Sequence, residues 1–205
     1  MIYIDNSATT KQYPQVTETM MKYMEEYFGN PSSMYQLGLD SEKAVKHARK
    51  QVEEAMGAGN GTLIFTSGGT EADNTAIFGA ARALRRRGNR IITSAVEHPA
   101  VLECCKRLEQ DGYDVVYVGV DDKCRLDLEQ LEDAIDENTI LVSLMQVNNE
   151  AGTIMPVDAV KDLPGVGVHL LVVQGAETVS GLVAQIEVLG HVQQGDHGQF
   201  LIDAG

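Results

Sequence analysis

The 205-residue sequence has no tryptophan, only three cysteines and about half as many basic as acidic residues. Its cysteines are too few and too irregularly spaced for a disulfide framework or a zinc knuckle, so we expect a reducing compartment and no metal site. The formal net charge of −14 argues against a nucleic-acid or anionic-membrane partner. No apolar run approaches membrane-spanning length, and the N-terminal stretch MIYIDNSATT has no basic region before an apolar one. We therefore expect a cytoplasmic protein that binds neither nucleic acid nor membrane.

The sequence that remains alternates between strand-like and helix-like stretches. Apolar runs without polar alternation predict strands at 62–66, 90–94, 114–120 and 139–147. Apolar or small residues at helical spacing, with Pro, Asp or Gly near the ends, predict helices at 16–28, 41–56, 71–87, 99–110 and 127–135. Such strands, separated by helices, predict an α/β doubly wound fold with a parallel sheet covered on both faces. Ligands of such sheets bind at the carboxyl ends of the strands.

A small glycine-rich turn, Ser67-Gly68-Gly69-Thr70, lies at one of these carboxyl ends and opens into a helix. The unpaired N–H groups at a helix N-terminus and the positive end of its dipole favour a phosphate, and the Ser and Thr hydroxyls can add hydrogen bonds. Many strand-to-helix turns also contain Gly-Gly for backbone reasons alone. The turn by itself leaves both readings open.

Five motifs occur together in the chain and in register. They are YIDNSATT at 3–10, FGNPSS at 28–33, FTSGGTEADN at 65–74, SAVEHPAV at 94–101 and VNNEAGTIMP at 147–156. With them the sequence closely resembles, from residue 1 to about 160, the cysteine desulfurases of the class V aminotransferase group. The resemblance implies the aspartate-aminotransferase-like fold, pyridoxal phosphate as cofactor and L-cysteine as substrate.

The resemblance also implies roles for single residues. It makes Gly69 and Thr70 the cradle of the cofactor phosphate. It makes His98 the imidazole that stacks on the pyridine ring and acts in acid–base chemistry, and Asn149 the hydrogen-bond donor to the phenolic oxygen. The substrate-side residues that it implies are Asn6, Ser7, Ala8 and Asn30. Two plainer readings stand beside these: His98 can cap the helix that starts at Pro99, and Asn149 can be an ordinary turn residue.

After about residue 161 the sequence departs from the family pattern. The aspartate expected to pair with the pyridinium nitrogen should follow Glu150 by about 24 residues, but that position is Gln174. The segment 147–160 aligns on 176–189 at an offset of 29, and the same count then reaches Asp203 in GQFLIDAG. We interpret Asp203 as the cofactor aspartate of a second, divergent copy of the module. The alternative is an ordinary βαβ unit whose likeness is coincidental.

These features predict the domain organisation. We interpret residues 1–15 as an N-terminal segment and 16–205 as a cofactor-binding large domain that is incomplete at its C-terminus, with 166–205 as a candidate repeated module. The family's small C-terminal domain is expected to be absent. The family's cofactor-binding lysine directly follows a histidine, and none of the eight lysines does so. Cys104 and Cys105 lie in a predicted helix and Cys124 in an acidic turn, so none is expected to carry sulfur.

The functional hypothesis is therefore a cysteine desulfurase-like transferase for iron–sulfur cluster or thio-cofactor synthesis. Its expected partners are L-cysteine, a sulfur-acceptor or scaffold protein and a second copy of itself. Any pyridoxal phosphate that the chain binds alone is expected to be held without a covalent link, and the chain is expected to release no sulfide from L-cysteine. The alternatives are a non-catalytic partial fold, an interaction module that pairs with a full-length relative, or another class V enzyme such as a selenocysteine lyase or aminotransferase.

Overall fold

The computed structural model describes residues 2–4, 9–56, 62–161, 163, 169–174, 184–189 and 200–204. The chain divides into two compact units, one formed by residues 1–59 with 177–181 and the other by 60–176 with 182–205. Within the described residues, no helix is both long and apolar enough to cross a membrane. The predicted division into 1–15 and 16–205 stays a prediction.

The first unit contains two helices, α1 (Pro14–Glu25) and α2 (Gln36–Ala55). Pro14 occupies the first turn of α1, where its missing N–H costs nothing. Helix α2 begins five residues before the predicted start at 41. The backbone of the preceding loop packs so closely on Gly38 that a side chain there would clash. Ser41 holds that loop by donating a hydrogen bond to the carbonyl of Tyr27 at 3.1 Å.

The second unit contains the sheet. Its strands are β1 (Thr62–Thr66), β2 (Arg90–Ser94), β3 (Asp114–Val118), β4 (Thr139–Met145), β5 (His169–Gln174), β6 (Ala184–Leu189) and β7 (Phe200–Ala204). Its helices are α3 (Gly69–Leu84), α4 (Pro99–Gln110), α5 (Leu128–Ala134) and α6 (Val157–Lys161). The described strands form one sheet in the order β1-β7-β6-β5-β4-β2-β3.

The predicted parallel sheet is confirmed, and it includes one antiparallel strand, β6, which pairs with β5 and β7. A parallel return needs a crossover of roughly a dozen residues or more. The nine residues 175–183, between β5 and β6, are too few for one. The other pairs are parallel, so β1, β7, β5, β4, β2 and β3 run in one direction.

The proposed sequence echo is not a repeat of secondary structure. At the offset of 29, the helical residues of α6 align on residues 186–190, and 186–189 lie in strand β6. Strand β5 does align on residues of β4, and β7 aligns largely on β5. The strands on either side of the two segments therefore correspond to each other. Between those strands, helix α6 in the first segment corresponds to the antiparallel strand β6 in the second.

Two strands end earlier than predicted. Strand β3 ends at Val118 and β4 at Met145, two residues short of the expected 120 and 147. The next apolar residues close short loops instead: Val120 forms a bridge with Leu126, and Val147 forms one with Ile154. The loop after β4 is therefore folded back onto the end of its own strand.

Both faces of the sheet are covered. One face packs against α3 and α4, and its buried core is Ala72, Ile77, Ala81, Ile91, Val101, Cys104, Cys105, Leu108, Ile140 and Leu141. The other face packs against α5 and α6, and its core includes Ile92, Val118, Leu131, Val142, Leu144, Val157 and Val160. Strand β4 is buried along its whole length, as expected for a central parallel strand.

An arginine ties the amino-terminal end of β2 to its neighbours. The guanidinium of Arg90 lies 2.7 Å from a carboxylate oxygen of Asp114 on β3 and 2.8 Å from one of Asp136. It also donates a hydrogen bond to the carbonyl of Ala134 at the end of α5, at 3.2 Å. The hydrogen bond to Asp114 is the main cause of a raised pKa for Arg90. This contact set fixes the edge of the sheet opposite the carboxyl ends.

Candidate functional site

The predicted site residues lie at one edge of the sheet. Strands β1, β2 and β4 run in the same direction, so the turn after β1, His98 after β2 and Asn149 after β4 all follow carboxyl ends. This is the edge at which ligands of parallel sheets bind. No hydrogen bond among the described residues joins the turn to His98 or Asn149. The sheet gives these residues a common edge, and the helices and loops decide how closely they approach.

The turn after β1 has the geometry of an anion site. Strand β1 ends at Thr66 and α3 starts at Gly69, two residues before the predicted start at 71. In the described part of the chain, the N–H groups from Gly68 to Glu71 have no protein acceptor, as expected for a first helical turn. A Cβ built on Gly68 or Gly69 would meet nothing within 4 Å. The turn therefore combines unpaired backbone donors with free space beside its two glycines.

The carboxylate of Glu71 already binds the first residue of this turn. A carboxylate oxygen of Glu71 accepts hydrogen bonds from both the N–H and the hydroxyl of Ser67, each at 2.6 Å. The hydroxyl bond, and next the backbone bond, lower the pKa of Glu71. The prediction that the whole turn offers free donors is therefore wrong for Ser67, whose donors face an internal carboxylate.

His98 is the N-cap residue of α4. Its Nδ1 accepts a hydrogen bond from the N–H of Ala100 at 3.1 Å, and Pro99 takes the first helical position. The capping role predicted for His98 is confirmed. A neutral ring that accepts at Nδ1 carries its proton on Nε2, and the side chain is exposed. The imidazole can therefore cap α4 and still present a donor to a ligand, while the stacking role stays a prediction.

The two asparagines after β4 divide the roles between them. Asn148 is 5% exposed, and its side-chain oxygen accepts from the N–H groups of Glu150 and Ala151 at 3.0 and 2.8 Å. Its side-chain nitrogen donates to the carbonyl of Val96 at 3.0 Å. Asn149 is exposed and takes no part in these hydrogen bonds. The turn-forming role therefore belongs to Asn148, and the cofactor contact of Asn149 stays a prediction.

The sequence reasoning missed two buried carboxyl groups beside this edge. Glu97 is 4% exposed, and burial, together with the charge of Asp73, raises its pKa to about 7. Asp73 is 6% exposed, and burial raises its pKa to about 6. Both lie in motifs that were recognised, but an acidic residue beside a helix start is usually a solvated one. No sequence signal marked them as buried.

Asp73 also shows how α3 brings the turn toward the centre of the sheet. Strands β1 and β2 are five positions apart in the sheet, yet α3 packs against α4 and against the strands between. Asp73, in the first turns of α3, is near enough to raise the pKa of Glu97, the neighbour of His98. The helix that begins at the turn after β1 thus reaches the loop that carries His98.

The roles of the other predicted site residues stay predictions. Asp203 lies on β7, and its backbone pairs with Phe65 on β1, one residue before β1 ends. Gln174 is the last residue of β5. Asn30, in the first unit, is exposed and folds its side-chain oxygen onto the N–H of Ser32 at 2.9 Å. The predicted substrate-side residues Asn6, Ser7 and Ala8 lie outside the described residues.

The cysteines are not arranged as nucleophiles. Cys104 and Cys105 are buried in α4, and burial raises the pKa of their thiols to about 11 and about 12. Such thiols stay protonated at neutral pH and react slowly. Cys124 is partly buried in the turn after β3, with a φ of 61°. No group of three or more potential metal ligands occurs in the described ranges.

Comparisons with known proteins agree with this arrangement. The profile of the family "Aminotransferase class-V" matches residues 2–191. A cysteine desulfurase from Trichormus azollae is 48% identical over 160 residues, which cover 78% of this chain and 40% of that protein. A solved "NifS-like protein" superimposes with a TM-score of 0.77 at 38% identity, covering 83% of this chain and 48% of that one. A structure of "SspA in complex with cysteine" has a TM-score of 0.76 at 31% identity, covering 84% and 50%.

These matches show the family and the part of its members that this chain covers. The family profile continues past residue 161, where the motif likeness was expected to stop. The chain spans about 40% of the length of the cysteine desulfurase it matches and about half of each solved neighbour. The chain belongs to the class V aminotransferase family.

Proposed function

We propose that this member of the class V family is a cysteine desulfurase-type protein whose described residues bind pyridoxal 5′-phosphate. The observation that carries the proposal is the turn after β1, where the N–H groups from Gly68 to Glu71 have no acceptor among the described residues and where space is free beside Gly68 and Gly69. That turn shares one sheet edge with His98 and Asn149. The desulfurase likeness over 160 residues supports the choice of cofactor.

The residues present fit the chemical groups of this cofactor. The donors of the turn and the positive end of α3 suit its phosphate, and the space over Gly68 and Gly69 leaves room for it. The exposed imidazole of His98 suits the face of the pyridine ring, and the exposed amide of Asn149 suits the phenolic oxygen. When bound, the cofactor supplies an electron sink for bonds at the substrate's α-carbon. The chain's own part is to hold and orient the group and, at His98 Nε2, to hold a proton.

The proposed substrate is L-cysteine, which is converted to L-alanine while its sulfur passes to an acceptor thiol as a persulfide. One structural neighbour is described as a complex with cysteine. The buried thiols of Cys104 and Cys105 are unsuited to receive the sulfur. We propose that the acceptor thiol lies outside the described residues of this chain. We also propose a partner protein that takes up the sulfur for iron–sulfur or thio-cofactor synthesis.

We also propose that the protein is a cytoplasmic homodimer. Helix α1 has no buried residue and exposes several large apolar side chains. These are Val16, Met20, Met21, Tyr23 and Met24, each more than 40% exposed. An apolar helix face of this kind is a typical interaction surface. Sedimentation of the chain across a concentration series, with Met24→Glu for comparison, tests this: a monomer at every concentration would count against the dimer.

Cofactor binding is tested by titrating the chain with pyridoxal 5′-phosphate and, separately, with pyridoxal. We expect the phosphate ester to bind and pyridoxal to bind more weakly, because the turn recognises the phosphate. A Thr70→Val chain should lose part of that difference, and a Thr75→Val chain, changed further along α3, should keep it. Equal binding of the two ligands would contradict the proposal.

A second measurement addresses turnover. None of the chain's lysines follows a histidine, so after borohydride reduction we expect no pyridoxyl adduct on any one lysine. We also expect no sulfide release from L-cysteine above a buffer blank. An adduct on one specific lysine, together with sulfide release, would show that the 205-residue chain is itself active.

A further inference from the structure

Two loops at the candidate site are tied together by buried side chains. The first tie is made by Glu97, from the loop after β2. Its Oε1 accepts a hydrogen bond from the hydroxyl of Ser94 at 2.7 Å and one from the N–H of Met145 at 2.9 Å. Met145 is the last residue of β4. The loop that carries His98 is thus held to the end of the neighbouring strand.

The second tie runs in the opposite direction. Asn148, from the loop after β4, donates to the carbonyl of Val96 in the loop after β2, at 3.0 Å. Its oxygen at the same time accepts from the N–H groups of Glu150 and Ala151. One amide therefore shapes its own loop and fastens that loop to the other. Both side chains that make the ties are at least nine-tenths buried.

We propose that Glu97 and Asn148 are positioning residues that fix His98 and Asn149 relative to each other. This inference rests on the proposed function for its meaning in cofactor binding. Each tying residue directly precedes the residue it would position, so a change in either tie moves the next side chain. Neither Glu97 nor Asn148 needs to touch the cofactor to act in this way.

The surroundings of Glu97 favour its neutral form. Its second oxygen, Oε2, has no hydrogen-bond partner in the described part of the chain, and neither has the Oδ1 of Asp73. The titratable groups that interact with it are Asp73 on α3 and the thiol of Cys105 on α4. No cation is among them, so burial and like charge both favour a protonated carboxyl. A glutamine at this position retains an oxygen that can accept both hydrogen bonds.

The proposal is tested by amide hydrogen exchange and by the NMR signal of the His98 imidazole, both without cofactor. In Glu97→Ala, the Met145 amide loses its acceptor, and we expect it to exchange roughly tenfold faster or more. In Asn148→Asp, the side chain can still accept from Glu150 and Ala151 but has no N–H for Val96. We expect protection of those two amides to remain while the His98 signal shifts.

Two further variants make the result decisive. Ser143→Ala removes a buried hydroxyl on the same strand that has no hydrogen-bond partner in the described residues, so it should leave the Met145 amide and the His98 signal unchanged. Glu97→Gln should restore protection of Met145. If Glu97→Ala loosens the whole sheet, the test depends on Glu97→Gln alone. A Met145 amide that stays protected in Glu97→Gln supports the hydrogen bond from Met145 to residue 97 as the tie, and an unprotected Met145 amide overturns it.

Cofactor affinity gives the functional readout. Glu97→Ala and Asn148→Asp should each weaken binding of pyridoxal 5′-phosphate several-fold, and Glu97→Gln should regain it. If the unchanged chain binds no pyridoxal phosphate, the proposed function fails, and exchange and the His98 signal still decide the ties. An unchanged His98 signal in both Glu97→Ala and Asn148→Asp would overturn the inference.

Discussion

Replacing Glu97 by glutamine should change how the stability of the chain depends on pH. The folded chain raises the pKa of Glu97 from its ordinary value of 4.5 to about 7, mainly through burial. A carboxyl whose pKa is raised on folding binds its proton more tightly in the folded state. The folded chain is therefore most stable, with respect to this group, below about pH 4.5, and it loses stability as pH rises through about 7. Glutamine cannot titrate, so it removes this loss.

The size of the effect follows from the two pKa values. At about 1.4 kcal/mol for each pKa unit, the difference between 4.5 and about 7 corresponds to ~3 kcal/mol in the free energy of unfolding. About 2 kcal/mol of this should fall between about pH 5.5 and about pH 8. This window also avoids the isoelectric point near 4.6, where the chain is least soluble. Asp73 titrates in both chains, and the cause of its raised pKa is its own burial, which the substitution at Glu97 leaves in place.

The assay is urea unfolding followed by far-ultraviolet circular dichroism, because the chain has no tryptophan. The stability of the Glu97→Gln chain relative to the unchanged chain should rise by about 2 kcal/mol across the window, whatever constant offset the amide introduces. Two stability curves that run parallel over the whole window would refute the argument. They would show that Glu97 is ionised in the fold, or that it is solvated there.

Three further predictions concern other parts of the second unit. Arg90→Met should lower the free energy of unfolding by about 1–2 kcal/mol, and less in high salt, since it breaks two ion pairs that are only partly exposed; thermal melting measures this. Gly88→Ala should lower the melting temperature because its Cβ would clash with a backbone carbonyl, whereas Gly79→Ala should raise it by the equivalent of about 0.5–1 kcal/mol. Glu71→Gln should strengthen pyridoxal phosphate binding, because it removes a negative charge that competes with the phosphate at the donors of Ser67.

The sequence predicted the alternation of elements well where the patterns are local. Strands β1 and β2 and helix α4 lie within the predicted bounds, and Asp127 caps α5 by accepting from the N–H of Gln130 at 3.0 Å, as predicted. Capping residues and apolar periodicity act over a few residues, so they can be read from one sequence. The direction of β6 depends on the length of the connection between β5 and β6. It could therefore be inferred only once the bounds of both strands were known.

The site was predictable as a set of motifs but not as a geometry. The phosphate turn, His98 and Asn149 could be placed at carboxyl ends of strands, because strand direction follows from the βα alternation. Which acidic side chains turn inward could not be read, since burial depends on residues far away in the chain. The N–H of Met145, 48 positions from Glu97, is one partner that no local pattern connects to it.

The arrangement of the two loops has a simple physical basis. In each loop a buried polar residue is followed directly by an exposed one: Glu97 by His98, and Asn148 by Asn149. The inward residue holds its loop through hydrogen bonds, and the residue directly after it stays exposed. Hydrogen bonds fix the inward residue to a neighbouring strand or loop. Because the exposed residue follows it directly in the chain, they also restrict the position of the exposed residue. The precision of the candidate site thus depends on residues that the ligand does not touch.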